Sequence, residues 1–404
     1  MDKSDYKVYG YRWVVLLAFM LAVAINQLLW ISFAPITSEA VEFYGVSDLS
    51  VGLLSMIFMI VYILVSIPAS WVIDTYGIRT GVGIGAALTG IFGLVRGYTA
   101  ASYTWVLVAQ IGIAIGQPFL LNAITTVAAR WFPIRERATA SGFGSLAIYL
   151  GILIGLVLTP YLTAQGGIET MLIGYGIAAA AAVIVFFVFV RERPPTPPCA
   201  PEQEVRSLVL DGFKQIFRNR SFQLLLVIFF IGLGIFNAVT TWIEDILRPR
   251  GFTTIQAGMI GGLMILGGII GALVIPSLSD HYRKRIPFIL LAVAGAAVGL
   301  VGITFFDYYV LLLGSAFVMG FFLLSAGPIG VQYGAEVTHP IPEGTSNGLL
   351  LMMGQISGIL FIIGMDSFKS ADTGSMTGSL SVLIGLLAAT LFLATKLDEP
   401  KPIQ

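Results

Sequence analysis

Twelve apolar runs, each roughly 20 residues long and so able to cross a ~30 Å hydrocarbon layer, follow one another along this chain. They fall near residues 13–36, 49–73, 80–98, 103–128, 138–162 and 171–190. After a polar break come 222–247, 255–278, 286–305, 308–331, 344–363 and 378–395. With 57% hydrophobic and 11% charged residues, and a mean hydropathy of +0.91, the chain cannot build a water-facing surface; a bilayer must be its solvent. The expectation is an all-α membrane protein of twelve transmembrane helices in two six-helix bundles, residues 1–190 and 222–404, joined by a linker over 191–221. The first run is too long, and too directly followed by further spans, for a cleaved signal peptide.

The two bundles read as copies of one unit. Asp74 and Asp280 each close an apolar run carrying an Ile-Pro step, Ile67-Pro68 and Ile275-Pro276, and their separation is 280 − 74 = 206 in a chain of 404 residues. Phe132-Pro133-Ile134-Arg135-Glu136 is echoed by His339-Pro340-Ile341-Pro342-Glu343, at 343 − 136 = 207. A fixed offset near half the chain length is the mark of internal duplication.

Loop charges predict the orientation. Of 22 Lys and Arg residues, Arg96, Arg248, Arg250 and Lys369 fall on one side, leaving 22 − 4 = 18 for the other. By the positive-inside rule both termini and the linker face the cytoplasm of a plasma membrane. The linker opens with the stiff Pro194-Pro195-Thr196-Pro197-Pro198 and continues into an amphipathic run, Val205 to Phe217, suited to the membrane surface. Acidic and basic residues balance at 22 each, which removes the electrostatic case for nucleic acid. One cysteine, Cys199, and two histidines in connecting segments, His281 and His339, offer no metal cage or nucleophile–base set in any span. An enzyme is disfavoured, and no cofactor is expected. The expected partners are membrane lipids and a small-molecule substrate, with the protein acting as a monomer. Glycine spacings such as Gly151 to Gly155 and Gly258 to Gly262 read as close helix packing, as does Gly81-Val82-Gly83-Ile84-Gly85, which follows no strand.

Two six-helix halves with a charged motif after the second helix of each resemble the major facilitator superfamily. Asp74-Thr75-Tyr76-Gly77-Ile78-Arg79 fits its Asp, Gly, Arg pattern, and Asp280-His281-Tyr282-Arg283-Lys284-Arg285 keeps the charges but not the glycine. Asp74, Arg79, Asp280 and Arg283, with Glu136, Arg137, Glu336 and Glu343 at the next such junction, are therefore the candidate gating residues. Asp74, whose copy is intact, should matter more than Asp280. A closer likeness lies in Glu42-Phe43-Tyr44-Gly45-Val46-Ser47 and in Glu343-Gly344-Thr345-Ser346-Asn347-Gly348. These strings resemble the feline leukemia virus subgroup C receptor-related transporters, whose members carry choline, ethanolamine or, as also proposed, haem.

Polar side chains deep in spans are costly and so mark candidate substrate contacts. Asn26 and Trp30 share a face of the first run; Gln117 and Gln355 lie roughly 20 Å and 17 Å into theirs at ~1.5 Å per residue. Asn237 lies on the seventh run, and Tyr149 on the fifth is a weaker candidate, as are Gln332 and Tyr333. The resemblance implies that Trp30, Gln117 and Gln355 line a central cavity between the halves, while a tyrosine that would face a quaternary ammonium is replaced by Asn237. An amide has no ring quadrupole, so choline recognition is weakened unless Trp242 supplies the ring. Glu244 and Asp245 read as hydrated charges at the outer end, able to attract cations, and Arg96 as a residue snorkelling to the interface. With no carboxylate placed at the midplane, the expectation is a uniporter of a small polar or cationic metabolite working by alternating access. A proton-coupled carrier of another organic solute or haem, and a non-transporting receptor, are the alternatives.

Overall fold

The computed structural model describes residues 7–198, 219–338 and 343–399, and among them every regular element is helical. Helix α1 (Arg12–Ile31) leads through a 3-10 turn (Ala34–Ile36) into the short α2 (Thr37–Tyr44). Then follow α3 (Asp48–Tyr76), α4 (Ile78–Tyr98), α5 (Tyr103–Leu121), α6 (Ile124–Trp131) and α7 (Ile134–Phe189). Beyond the linker come α8 (Arg220–Thr241), the short α9 (Ile243–Leu247), a 3-10 turn (Arg248–Arg250) and α10 (Thr254–Tyr282). The chain ends with α11 (Ile286–Phe305), α12 (Tyr309–Thr338), α13 (Glu343–Ser367) and α14 (Thr377–Ala394).

Eleven helical stretches among the described residues are long and apolar enough to cross a membrane. One of them, α7, counts twice. Its 56 residues would extend about 84 Å at ~1.5 Å per residue, far beyond one bilayer, and Gly167 interrupts it with φ 74° and ψ 174°. The predicted fifth and sixth spans are thus two helices that meet at Gly167. The expected fourth span is instead divided into α5 and α6, and the first continues through a break into α2. His281 lies in the last turn of α10 rather than in a loop. The run Val205 to Phe217, His339 and the Pro340-Ile341-Pro342 string lie outside the described residues, as does the side chain of Glu343.

Contacts divide the chain into two compact units, Met1–Phe33 with Glu39–Arg206 and Ala34–Ser38 with Ser207–Gln404. The first unit is built around buried side chains such as Phe19, Val82, Leu120, Phe132 and Phe186. Helices approach closely where the sequence supplies glycine: a Cβ on Gly151 of α7 would strike the Ala24 carbonyl of α1. In the second unit a Cβ on Gly320 of α12 would strike the Met264 carbonyl of α10. Of the residues that follow α1, Ala34–Ser38 belong, by their contacts, to the second unit.

Both repeats start and stop their second long helix at matching positions. Ser47 caps α3 by accepting from Ser50 N, and Thr253 caps α10 through a reciprocal box with Gln256; 253 − 47 = 206.

Candidate functional site

The polar candidates separate into those whose hydrogen bonds are spent on packing and those whose are not. Asn26, wholly buried on α1, donates Nδ2 to Thr89 Oγ1 of α4 at 3.0 Å and to Ile113 O of α5 at 3.3 Å. Its Oδ1 accepts from Gln27 Nε2 at 3.2 Å, so this amide ties three helices together. Trp30 is 5% exposed and donates Nε1 to Ser55 O of α3 at 3.1 Å. On α8, Asn237 donates Nδ2 to Gly354 O of α13 at 3.1 Å. Trp242 is wholly buried at the end of α8, with Nε1 on Ile362 O at 3.0 Å, so its ring fastens α8 to α13. Enclosed in this way, it offers no open face in place of the missing tyrosine.

Gln117 and Gln355 behave differently. Gln117 is 5% exposed on α5, one residue before Pro118, and Gln355 is half-buried in the middle of α13. Neither side-chain amide takes part in a hydrogen bond to another described residue. Buried amides are ordinarily partnered, so these two keep donors and acceptors for something else. Tyr149 is half-buried on α7. Of the other aromatic candidates, Tyr333 is buried with its hydroxyl on Asp398 O at 2.8 Å, and Gln332 donates to Glu336 at 2.9 Å. A groove of about 530 Å³ between α11 and α12 is lined by apolar residues and Ser315, and offers a polar substrate little to bind.

Several of the charges at the linker-side helix ends pair within their own units. Arg12 meets Glu136 at 3.1 Å, and Arg137 donates Nε to Phe132 O at 3.3 Å. Asp74 and Arg79 are exposed on either side of Gly77. In the second unit Arg285 pairs with Asp280 and, at 2.9 Å, with Glu336. Arg283 takes φ 52° at the end of α10.

Sequence reasoning passed over the residues that organise these ends. Glu192, in the linker, accepts from Ile78 N at 3.1 Å and Arg79 N at 2.7 Å, placing its carboxylate on the amino end of α4, and pairs with Arg130. Glu399 does the same for α11, accepting from Arg285 N and from Ile286 N, the latter at 3.3 Å. The separation is 399 − 192 = 207, the repeat offset again. A glutamate among prolines or near a chain end looks like a solvated charge, and only the offset could have singled these two out.

At the opposite ends two further expectations change. Arg96 does not snorkel: it is fully buried, its Nη1 donating to Leu29 O at 3.0 Å, Ser32 Oγ at 3.2 Å and Gln110 Oε1 at 2.9 Å. The partners are a carbonyl in the last turn of α1, the hydroxyl of Ser32 at its end and an amide oxygen on α5. Glu244 and Asp245 are not hydrated loop charges either, being 2% and 0% exposed. Asp245 accepts from Arg248 at 2.8 Å and Lys369 at 3.0 Å. Glu244 accepts from Ser38 N at 3.1 Å and Ser38 Oγ at 2.9 Å, with Arg248 at 3.5 Å. Burial, and then the neighbouring Asp245, push the Glu244 carboxyl up to about 7.

Known proteins resemble the chain at both levels. A sequence profile of the Major Facilitator Superfamily matches residues 15–362. Solute carrier family 49 member A3 of Xenopus tropicalis is 33% identical over 380 residues, covering 90% of this chain and 79% of that protein. The choline/ethanolamine transporter FLVCR1 of Felis catus is 28% identical over 404 residues, covering 95% and 72%. Among solved structures, a bacterial homologue of the human lysosomal transporter Spinster, inward-facing and unoccupied, superposes with a TM-score of 0.73 at 15% identity over 97% of this chain and 96% of that one. The nucleoside transporter NupG also gives 0.73, at 14% identity over 96% of this chain and 99% of that one, and such distant likeness speaks for the fold. Duplicated six-helix repeats, their capped junctions and these matches lead to one assignment: the chain belongs to the Major Facilitator Superfamily and is a transporter related to the FLVCR family.

Proposed function

We propose that this transporter is a facilitative carrier of a small organic cation of the ethanolamine type, bound by the Gln117 and Gln355 amides and moved by alternating access. The observation that carries this reading is that these two amides lack hydrogen bonds to other described residues while Asn26 and Asn237 spend theirs on packing. A primary ammonium and a hydroxyl can donate to amide oxygens, whereas a quaternary ammonium has no N–H to give and relies on aromatic faces. Asn237 stands where the related carriers are expected to place a tyrosine, which favours the primary amine over choline. The names of relatives such as FLVCR1 support this substrate class.

In this reading the linker and both termini face the cytoplasm at the plasma membrane, supported by the bias in loop charge, and the protein acts as a monomer. The linker-side charges, with Asp74 foremost, set the balance between conformations. Uptake by proteoliposomes of ethanolamine, choline, haem and unrelated metabolites tests the proposal: ethanolamine should enter down its own gradient and saturate. Entry of none of the amines would overturn it. The second reading, a proton-coupled carrier, is favoured by one observation, the buried carboxyl of Glu244; it requires uptake driven by a pH gradient alone.

A further inference from the structure

The end of α1 is held from two sides by buried charge. Arg96 grips Leu29 O and Ser32 Oγ within the first unit, and Glu244 grips Ser38 within the second. Between these grips, residues 34–38 leave the helix they continue and join the second unit. Ser38 N is in the first turn of α2, so the Glu244 carboxyl also occupies the amino end of that helix. The two partners stand 244 − 38 = 206 apart, the offset of the repeat, so equivalent positions of the two copies bond to each other.

We propose that Glu244 is a proton-sensitive closure residue: a proton on its carboxyl favours the arrangement in which it holds Ser38, and ionisation favours release of residues 34–38. In the closed arrangement the two Ser38 hydrogen bonds and the helix end favour the anion, but the carboxyl is out of water and burial outweighs them; once released it is hydrated, and water stabilises the anion. Linkage then requires that protons favour closure. The protonated carboxyl still has a carbonyl oxygen for Ser38 N, and its own O–H can donate to Ser38 Oγ. The charged groups around it are few. Asp245, next in sequence, opposes ionisation but is itself held by Arg248 and Lys369. Arg248 approaches Glu244 at 3.5 Å and favours ionisation, and Glu39 follows Ser38 in α2. Helix α8 has no charged residue after Arg220, and α10, which packs on α9, has none before Asp280.

This inference does not depend on the substrate, and its test uses none. In the full-length protein with Cys199→Ser, Ala34→Cys is labelled with a maleimide in detergent at pH 5.5 to 8.5, and the rate is divided by that of the same protein carrying Glu244→Gln, which cancels the pH dependence of the thiol. Ala34 is 3% exposed, so labelling reports release. The ratio should rise at least threefold with pH, because the glutamine mimics the protonated side chain. Ser38→Ala should raise labelling at low pH and flatten its pH response. A ratio that stays flat in folded, monodisperse protein overturns the proposal. So does Ser38→Ala labelling that tracks the parent at every pH.

Discussion

Gly77 and Arg283, 206 residues apart, end the second long helix of each repeat with a positive φ, but in different regions: Gly77 at φ 94° and ψ 176°, Arg283 at φ 52° and ψ 39°. The first region is open essentially to glycine alone, while the second is the left-handed well that other residues enter at a cost of about 1–2 kcal/mol. The second copy of the motif has therefore lost its glycine without losing its turn. Gly77→Ala should destabilise the protein by about 2 kcal/mol or more, since the new Cβ would also press on the Glu192 carboxylate. Arg283→Gly should be neutral or slightly stabilising. Thermal unfolding midpoints of the two variants in detergent check the contrast.

The carboxylate caps make a second expectation. Glu192→Gln should lower stability by about 1 kcal/mol, through the loss of an anion at the amino end of α4 and of its pairing with Arg130. Glu399→Gln should act likewise at α11. The two effects should add, because the residues serve separate helices in separate units. Comparing the double variant with the two singles tests this.

Arg96 gives a third. Truncation to alanine removes all three hydrogen bonds of its Nη1 and strands Gln110 Oε1, and should cost about 3 kcal/mol. Replacing Arg96 by Met and Gln110 by Leu together should recover much of that loss, because no polar partner is then left stranded on this pair. A double-mutant cycle on unfolding midpoints gives the coupling.

Much of the fold is legible in the sequence, and the reasons are physical. Hydrocarbon thickness sets the length of an apolar run, so the spans announce themselves even where only Gly167 separates two of them. The repeat was visible at Asp74 and Asp280 because charge stands out against an apolar background. Burial of polar groups is not written locally. Arg96, Glu244 and Asp245 sit at helix ends, where a charge is normally hydrated, and only the approach of α1, α5 and Lys369 encloses them. Asn26 and Gln117 look alike in sequence for the same reason. Which amide is spent on packing depends on whether Thr89 or another polar partner lies opposite.

Glu244 sets a pH dependence of stability. Its carboxyl is raised to about 7 in the folded protein against 4.5 for the unperturbed group, with burial the main cause. A raised pKa on an acid gives the folded state the greater proton affinity, so its contribution is fully present below about pH 4.5 and is lost as the pH rises through about 7. Relative to Glu244→Gln, the natural protein should lose on the order of 1–3 kcal/mol across that window. The difference between their unfolding midpoints, followed from pH 4.5 to 8, carries the sign.

Saturable uptake of radiolabelled ethanolamine by proteoliposomes, compared among the natural protein, Gln117→Ala and Gln355→Ala, tests the central claim most directly. Each substitution should lower uptake at least tenfold while leaving the unfolding midpoint within a degree or two, since neither amide supports another described side chain. Asn26→Ala, in contrast, should lower the midpoint. Undiminished uptake by both glutamine variants would contradict the account.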